Sequence, residues 1–197
     1  IPPTVYQLDG FKIKDFTIKT YQLCKGARGW TQKEEDLFWK IYDKNNQDVN
    51  SVLNLKDKNG VFLINKWKGS MQQKVIKLKI DEFKKQGFNN IVLSGHSAGG
   101  WDSLVLKSNF PSKIDGVIAF HPARSGKFAN TKKPHRGWVN WRNYKMSMIK
   151  VDQLENVLVF SHEKDKYENP KTSKFLSVSE NVRFVDVSDT KCKKKLK

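Results

Sequence analysis

The stretch from Ile91 to Leu104 reads IVLSGHSAGGWDSL. A short, continuous apolar run passes into a serine bracketed by glycines, and Trp101, Leu104 and Val105 then recur at helical spacing. A chain that switches period this abruptly leaves a strand and enters a helix through one tight corner. Continuous apolar runs suit strands buried on both faces of a parallel sheet. The same kind of run recurs at Ile114 to Phe120, Val157 to Phe160 and Val182 to Val187. Thr17 to Cys24 alternates and also reads as a strand. Val61 to Trp67 follows the turn signal Lys58-Asn59-Gly60 and reads as another. Between the runs, Met71 to Gln86 places Ile76, Ile80 and Phe83 on one helical face, and Gly87 supplies a stop. Strands alternating with helices predict a three-layer α/β fold with a mostly parallel central sheet and right-handed crossovers. Sites in such sheets gather at the carboxyl ends of the strands.

Residues 1–197 are read as one domain with a single core. No apolar run approaches the length of a membrane-spanning helix. The net charge of +17 favours anionic partners. Only five of the 37 basic side chains are arginine, and lysine is a hydrated point charge rather than a bidentate phosphate reader. With no nucleic-acid-binding signature beside the charge, no specific nucleic-acid partner is expected. The chain opens on Ile1-Pro2-Pro3, without a visible signal segment, and reads as processed or trimmed. The two cysteines, Cys24 and Cys192, are ambiguous alone; an exported or periplasmic location is favoured over a cytoplasmic one. The terminal KCKKKLK reads as a solvated end.

Residues 122–150 are basic and aromatic, and the run is long for a connection between two strands. It reads as a lid or cap, with a solvated surface helix and loops as the plainer alternative. Arg124, Arg136 and Arg142 with Trp138 and Trp141 give it the means to meet an anionic or aromatic group; Trp138 and Arg142 are the named substrate-binding candidates.

Gly95-His96-Ser97-Ala98-Gly99 has the form G-x-S-x-G. Chance alone produces that pattern in roughly one chain in twenty of this length. A preceding strand and a following helix make it far more specific. The corner forces strained backbone at the serine and lifts its hydroxyl above the sheet edge. Glycines two before and two after leave room for neighbouring backbone. The helix N-terminus favours developing negative charge, and the Ala98 N–H is a ready oxyanion donor. The segment lacks the lysine of a phosphate-binding P-loop and is not G-x-G-x-x-G.

This corner resembles the nucleophile elbow of the α/β-hydrolase family. GVFLINKWKG, from Gly60, resembles the strand and glycine ending before the helix that precedes the elbow, and VLVFSHEKDKYENP, from Val157, resembles the family's strand-plus-acid segment. The resemblance implies a serine esterase acting on a small acyl substrate without metal or other cofactor. Ser97 takes the nucleophile's position and Asp165 that of the triad acid. His162 stands where glycine is usual. A second oxyanion donor is expected from a loop after an earlier strand; CKGARGW offers Gly29, with a plain surface turn as the alternative. The rival reading is an inactive hydrolase-fold protein that binds an anionic ligand.

Family chain order is serine, acid, histidine. Nothing after Asp165 carries the base; His162 precedes it, as do His96, His121 and His135. His96 lies inside the elbow and is expected to be structural, and His135 a surface residue of the lid. Three explanations stand: a histidine beyond Lys197, a base displaced to His121 or His162, or an inactive site. The first is the expectation taken here. On the resemblance, Cys192 lies in the loop where the histidine belongs, and a Cys24–Cys192 bridge would pin that loop over the site. If the bridge forms, alkylation of native, unreduced protein followed by mass spectrometry leaves both cysteines unmodified; two labelled thiols remove the bridge.

Overall fold

The computed structural model describes residues 29–124 and 139–189, with the backbone of Lys12–Ile13 and Phe16–Thr17. Those last two segments form a small antiparallel pair, β1 and β2. Beyond Thr17, the strand expected through Cys24 lies outside the described residues, as do Cys24 and Cys192 themselves.

Four strands make one parallel sheet: β3 (Val92–His96), β4 (Gly116–Phe120), β5 (Val157–Ser161) and β6 (Val182–Asp186), side by side in chain order. The register sets His96 beside Phe120, Phe120 beside Phe160, and Phe160 beside Val185. All four strands were legible as apolar runs, and the α/β class with a parallel sheet is the observed architecture. Helix α5 (Ala98–Asn109) follows β3 and packs on β3 and β4. Its Trp101, Leu104 and Val105 meet Val117, Ala119, Val157 and Val159 in the main core. Each of the valine and leucine side chains contributes about 1.5–3 kcal/mol on burial. The opposite sheet face carries Phe120 and Phe160, stacked at 5.0 Å.

Helix α4 (Lys68–Lys85) lies outside α5, close to the range read from its spacing. The segment before it departs from expectation. Val61 to Trp67 is not a strand: Leu63–Lys66 is a short helix, α3, and only Phe62 keeps a β-bridge, to Lys56. The reason lies in burial. Leu63 alone is fully buried, while Val61 and Phe62 stay exposed, so no alternating face exists to hold a strand.

Two earlier helices were not read from the sequence, α1 (Gln32–Lys44) and α2 (Asn50–Leu53). The signal for α1 was present. Thr31 and Glu34 close a capping box, satisfying two amide donors of the first turn. Its Phe38, Trp39 and Tyr42 form an aromatic cluster with Val52 of α2, Leu63 of α3 and Trp141.

Trp141 belongs to α6 (Val139–Ser147), within the expected lid. It is 3% exposed and lies edge-on to Phe38, Trp39 and Tyr42, at 5.3, 5.5 and 5.8 Å. Its indole is a structural anchor rather than a ligand-facing ring. Residues 125–138, with His135, Arg136 and Trp138, lie outside the described residues.

Helix α6 also brings Lys145 to full burial. Its Nζ has no hydrogen-bond partner and lies 3.0 Å from the centre of the Trp67 ring and 4.2 Å from that of Trp141. Nearby, Asp102 of α5 accepts from Gln73 at 3.1 Å and faces Arg124 at 3.4 Å. Burial drives the Lys145 ammonium well below its ordinary 10.5, helped by Arg124 and opposed by Asp102. Burial likewise raises the Asp102 carboxyl to about 6, against the pull of Arg124, Gln73 and Lys145.

The unfolded chain holds the Lys145 proton up to the ordinary lysine range and the folded chain releases it earlier, so this group makes stability rise with pH toward 10.5. Lys145→Met keeps the length of the side chain and its contacts with the rings. Urea unfolding is expected to show Lys145→Met more stable than wild type at pH 8, on the order of 1 kcal/mol or more. That margin shrinks at pH 10; an equal margin at both pH values contradicts the assignment.

Candidate active site

The parallel ladder continues past the strand ends. Ser97 N–H donates to the Phe120 carbonyl at 2.9 Å, His121 N–H to the Phe160 carbonyl at 2.8 Å, and Val187 N–H to the Ser161 carbonyl at 2.8 Å. Ser97 and His121 therefore stand on adjacent strands at the same level, at the carboxyl edge of the sheet. Both are also bent into positive φ, Ser97 at 54° and His121 at 46°. Such backbone costs about 1–3 kcal/mol per residue and persists where the surroundings over-determine it. Ser97 is the N-cap residue of α5 with φ 54° and ψ −118°, and its carbonyl accepts from the N–H groups of Trp101 and Ala123, both at 3.1 Å. The strand-to-helix corner legible in the sequence is thus pinned on both sides.

The glycines divide the steric work differently from the bracket expected. A Cβ on Gly95 would fall within the backbone of Gly99 and 2.6 Å from the Gly100 nitrogen. One on Gly99 would meet nothing within 4 Å. One on Gly100 would lie 3.0 Å from the Gly95 carbonyl oxygen. The close pass is therefore Gly95 against Gly99 and Gly100, and the bracket read from the sequence missed the part of Gly100. Ala98, first residue of α5, has its N–H in the first turn, where helix amides lack intrahelical acceptors.

His121 is half-buried, and its Nδ1 lies 3.4 Å from Asp165 Oδ2. The two are close enough for charge pairing, yet Nδ1 has no aligned hydrogen bond. Catalytic contacts are often loose until substrate closes the site. Burial pushes the imidazole below its ordinary 6.5; Asp165 opposes this, while His96 and His162 add to it. His96 is exposed, with its ring centre 6.0 Å from that of His121.

Asp165 is held by its own loop. Its Oδ1 accepts from the Tyr167 N–H at 2.7 Å and the Glu168 N–H at 3.0 Å, leaving Oδ2 toward His121. His162 is engaged locally: its Nδ1 accepts from the Lys164 N–H at 3.0 Å. A neutral ring in that state carries its proton on Nε2 and has no lone pair left for a serine hydroxyl. His121, not His162, is therefore the imidazole brought to Asp165.

Two other candidates have close local partners. Gly29 lies against the start of α4, where a Cβ would come 2.6 Å from the Lys68 nitrogen; that packing accounts for its glycine. Arg142 is taken up by Glu168 through both Nε and Nη2, so its fork does not present an open anion site. Among the described residues, no group of three or more His, Cys, Asp or Glu side chains is placed to hold a metal ion.

No family model and no curated protein matches the chain. Among solved structures, the chain is similar to the crystal structure of Paleococcus ferrophilus monoacylglycerol lipase, with 16% identity and a TM-score of 0.46 over 60% of this chain. The match spans 64% of that lipase's length.

The glycine geometry yields opposite outcomes for two adjacent-looking substitutions. Gly95→Ala is expected to destabilise by about 1–3 kcal/mol through overpacking of backbone. Gly99→Ala is expected to be neutral or to stabilise by up to about 1 kcal/mol, as a helix residue with open space. Thermal unfolding of both variants checks this, and equal losses contradict it.

Proposed function

We propose that the protein is a serine hydrolase of acyl esters, with Ser97 as nucleophile, His121 as base and Asp165 as the acid that orients it. The observation that carries this reading is the placement of a strained Ser97 beside a strained His121, with Asp165 Oδ2 3.4 Å from Nδ1. Asp165 favours the tautomer with the proton on Nδ1, which leaves Nε2 free to take the Ser97 proton. Ser97 Oγ then bonds to the acyl carbon, and the carbonyl electrons move to oxygen. The Ala98 N–H and the amino end of α5 stabilise that oxyanion. His121 returns the proton to the departing alcohol, and water releases the acid by the same route in reverse.

The base in this reading is displaced from the loop after the last strand to the end of β4. It needs no histidine beyond Lys197. The basic balance of the chain favours anionic substrates.

Labelling by a fluorophosphonate probe tests the assignment. Wild type is expected to label, Ser97→Ala to lose the label entirely, and His121→Ala to slow it by roughly 10²–10⁴-fold. The base must be neutral, and burial lowers the His121 imidazole, so the labelling rate is expected to reach half its plateau below pH 6.5. A wild type that does not label, or labelling indifferent to His121→Ala, overturns this reading; the first outcome favours an inactive fold that binds ligands.

A further inference from the structure

We propose that Arg142 and Glu168 form a positioning pair that aims the Asp165 carboxylate at His121. The proposal rests on the reading of Ser97, His121 and Asp165 as one site.

Glu168 lies three residues beyond Asp165 and is 1% exposed. Its two carboxylate oxygens accept from Arg142 Nε at 3.0 Å and Nη2 at 2.8 Å, a bidentate fork. Nη2 also donates to the Thr172 carbonyl. Thr172 is fixed in turn, since its N–H donates to Asn169 Oδ1 at 3.1 Å and its hydroxyl accepts from the Asn169 N–H at 2.9 Å. One guanidinium therefore clamps both ends of the short arc from Glu168 to Thr172.

The arc connects directly to the acid. The Glu168 N–H is one of the two amides that hold Asp165 Oδ1. The chain of contacts runs from the guanidinium to the Glu168 carboxylate, through one residue of backbone to Oδ1, and from Oδ2 to His121 Nδ1. Arg142 has a firm base for this. It follows Trp141, which is locked in the aromatic cluster, and the Lys145 carbonyl of the same helix accepts from the Trp101 indole at 3.1 Å.

Energetics point the same way. A buried ion pair loses hydration that its attraction roughly repays, and apolar side chains of equal size often stabilise as well or better. What the pair supplies that an apolar contact does not is direction: a planar fork fixes the carboxylate, and so the backbone of Glu168, in one orientation. Lysine cannot reproduce the fork.

The test follows the His121 imidazole by NMR titration in wild type, Asp165→Asn, Arg142→Lys, Glu168→Gln and the double variant Arg142→Lys/Asp165→Asn. Removing the carboxylate charge in Asp165→Asn is expected to lower the His121 pKa by about one unit. Arg142→Lys and Glu168→Gln are each expected to lower it by a clear fraction of that shift, and Arg142→Lys to add nothing in the Asp165→Asn background. In any variant with measurable turnover, kcat falls and KM holds. If Asp165→Asn lowers the pKa while Arg142→Lys and Glu168→Gln leave it in place, or if the effects add, the positioning role is overturned and the site stands. If Asp165→Asn itself changes nothing, the His121–Asp165 pairing fails and the proposal fails with it. The titration needs no turnover, so a wild type without hydrolase activity bears on the function alone. Glu168→Gln, which keeps the shape of the side chain, serves if Arg142→Lys does not fold.

Discussion

The extension of the parallel ladder beyond the strands is the constraint on which the rest of the site depends. Ser97 bonds to the Phe120 carbonyl and His121 to that of Phe160. Because β3, β4 and β5 lie in chain order and in register, each bond carries the chain one residue past its strand before it turns away. The turns then occur at the same level, through positive φ at both residues. A backbone hydrogen bond contributes only about 1 kcal/mol net, but leaving its buried groups unpaired costs more. The ladder thus holds two strained residues side by side without help from their side chains.

Around that edge the chain invests in buried ion pairs. Asp102 faces Arg124, and Glu168 holds Arg142. Each pair joins an element near the site to a neighbour: Asp102 sits on the helix behind Ser97, and Arg124 follows His121 by three residues. Burial of ionic groups is a poor route to stability. Their concentration here fits a region where orientation matters more than the last few kcal/mol. The stability comes instead from two cores, the α5–sheet core and the aromatic cluster of α1, α3 and α6.

The legibility of the fold tracked burial. The four parallel strands are nearly continuous apolar runs, and these survived the change from sequence to structure. Val61 to Trp67 is equally apolar in composition but holds the short helix Leu63–Lys66, because Leu63 enters a core with Ile64 and Trp67 packed beside it while Val61 and Phe62 stay exposed. Helix α1 announced itself through Thr31 and Glu34, a local signal that an apolar-run reading passes over. Trp141 and Arg142 looked like ligand-facing groups in a basic excursion; tertiary packing turned one into an aromatic anchor and the other into a clamp on Glu168.

By itself, the sequence determined the corner at Ser97. A strand, a Gly95 that must pass against backbone, and a helix opening at Ala98 are all local, and local geometry needs no partner to be read. The place of Asp165 in the loop after β5 also agrees with the resemblance of its segment to a strand-plus-acid stretch. Which histidine lies against Asp165 was decided only by the tertiary structure. His121 and Asp165 are separated by a whole crossover, and their 3.4 Å approach depends on strand order, register and a loop held from α6. Chain order alone looks for an imidazole after Asp165, whereas parallel pairing in space brings one to it from the neighbouring strand.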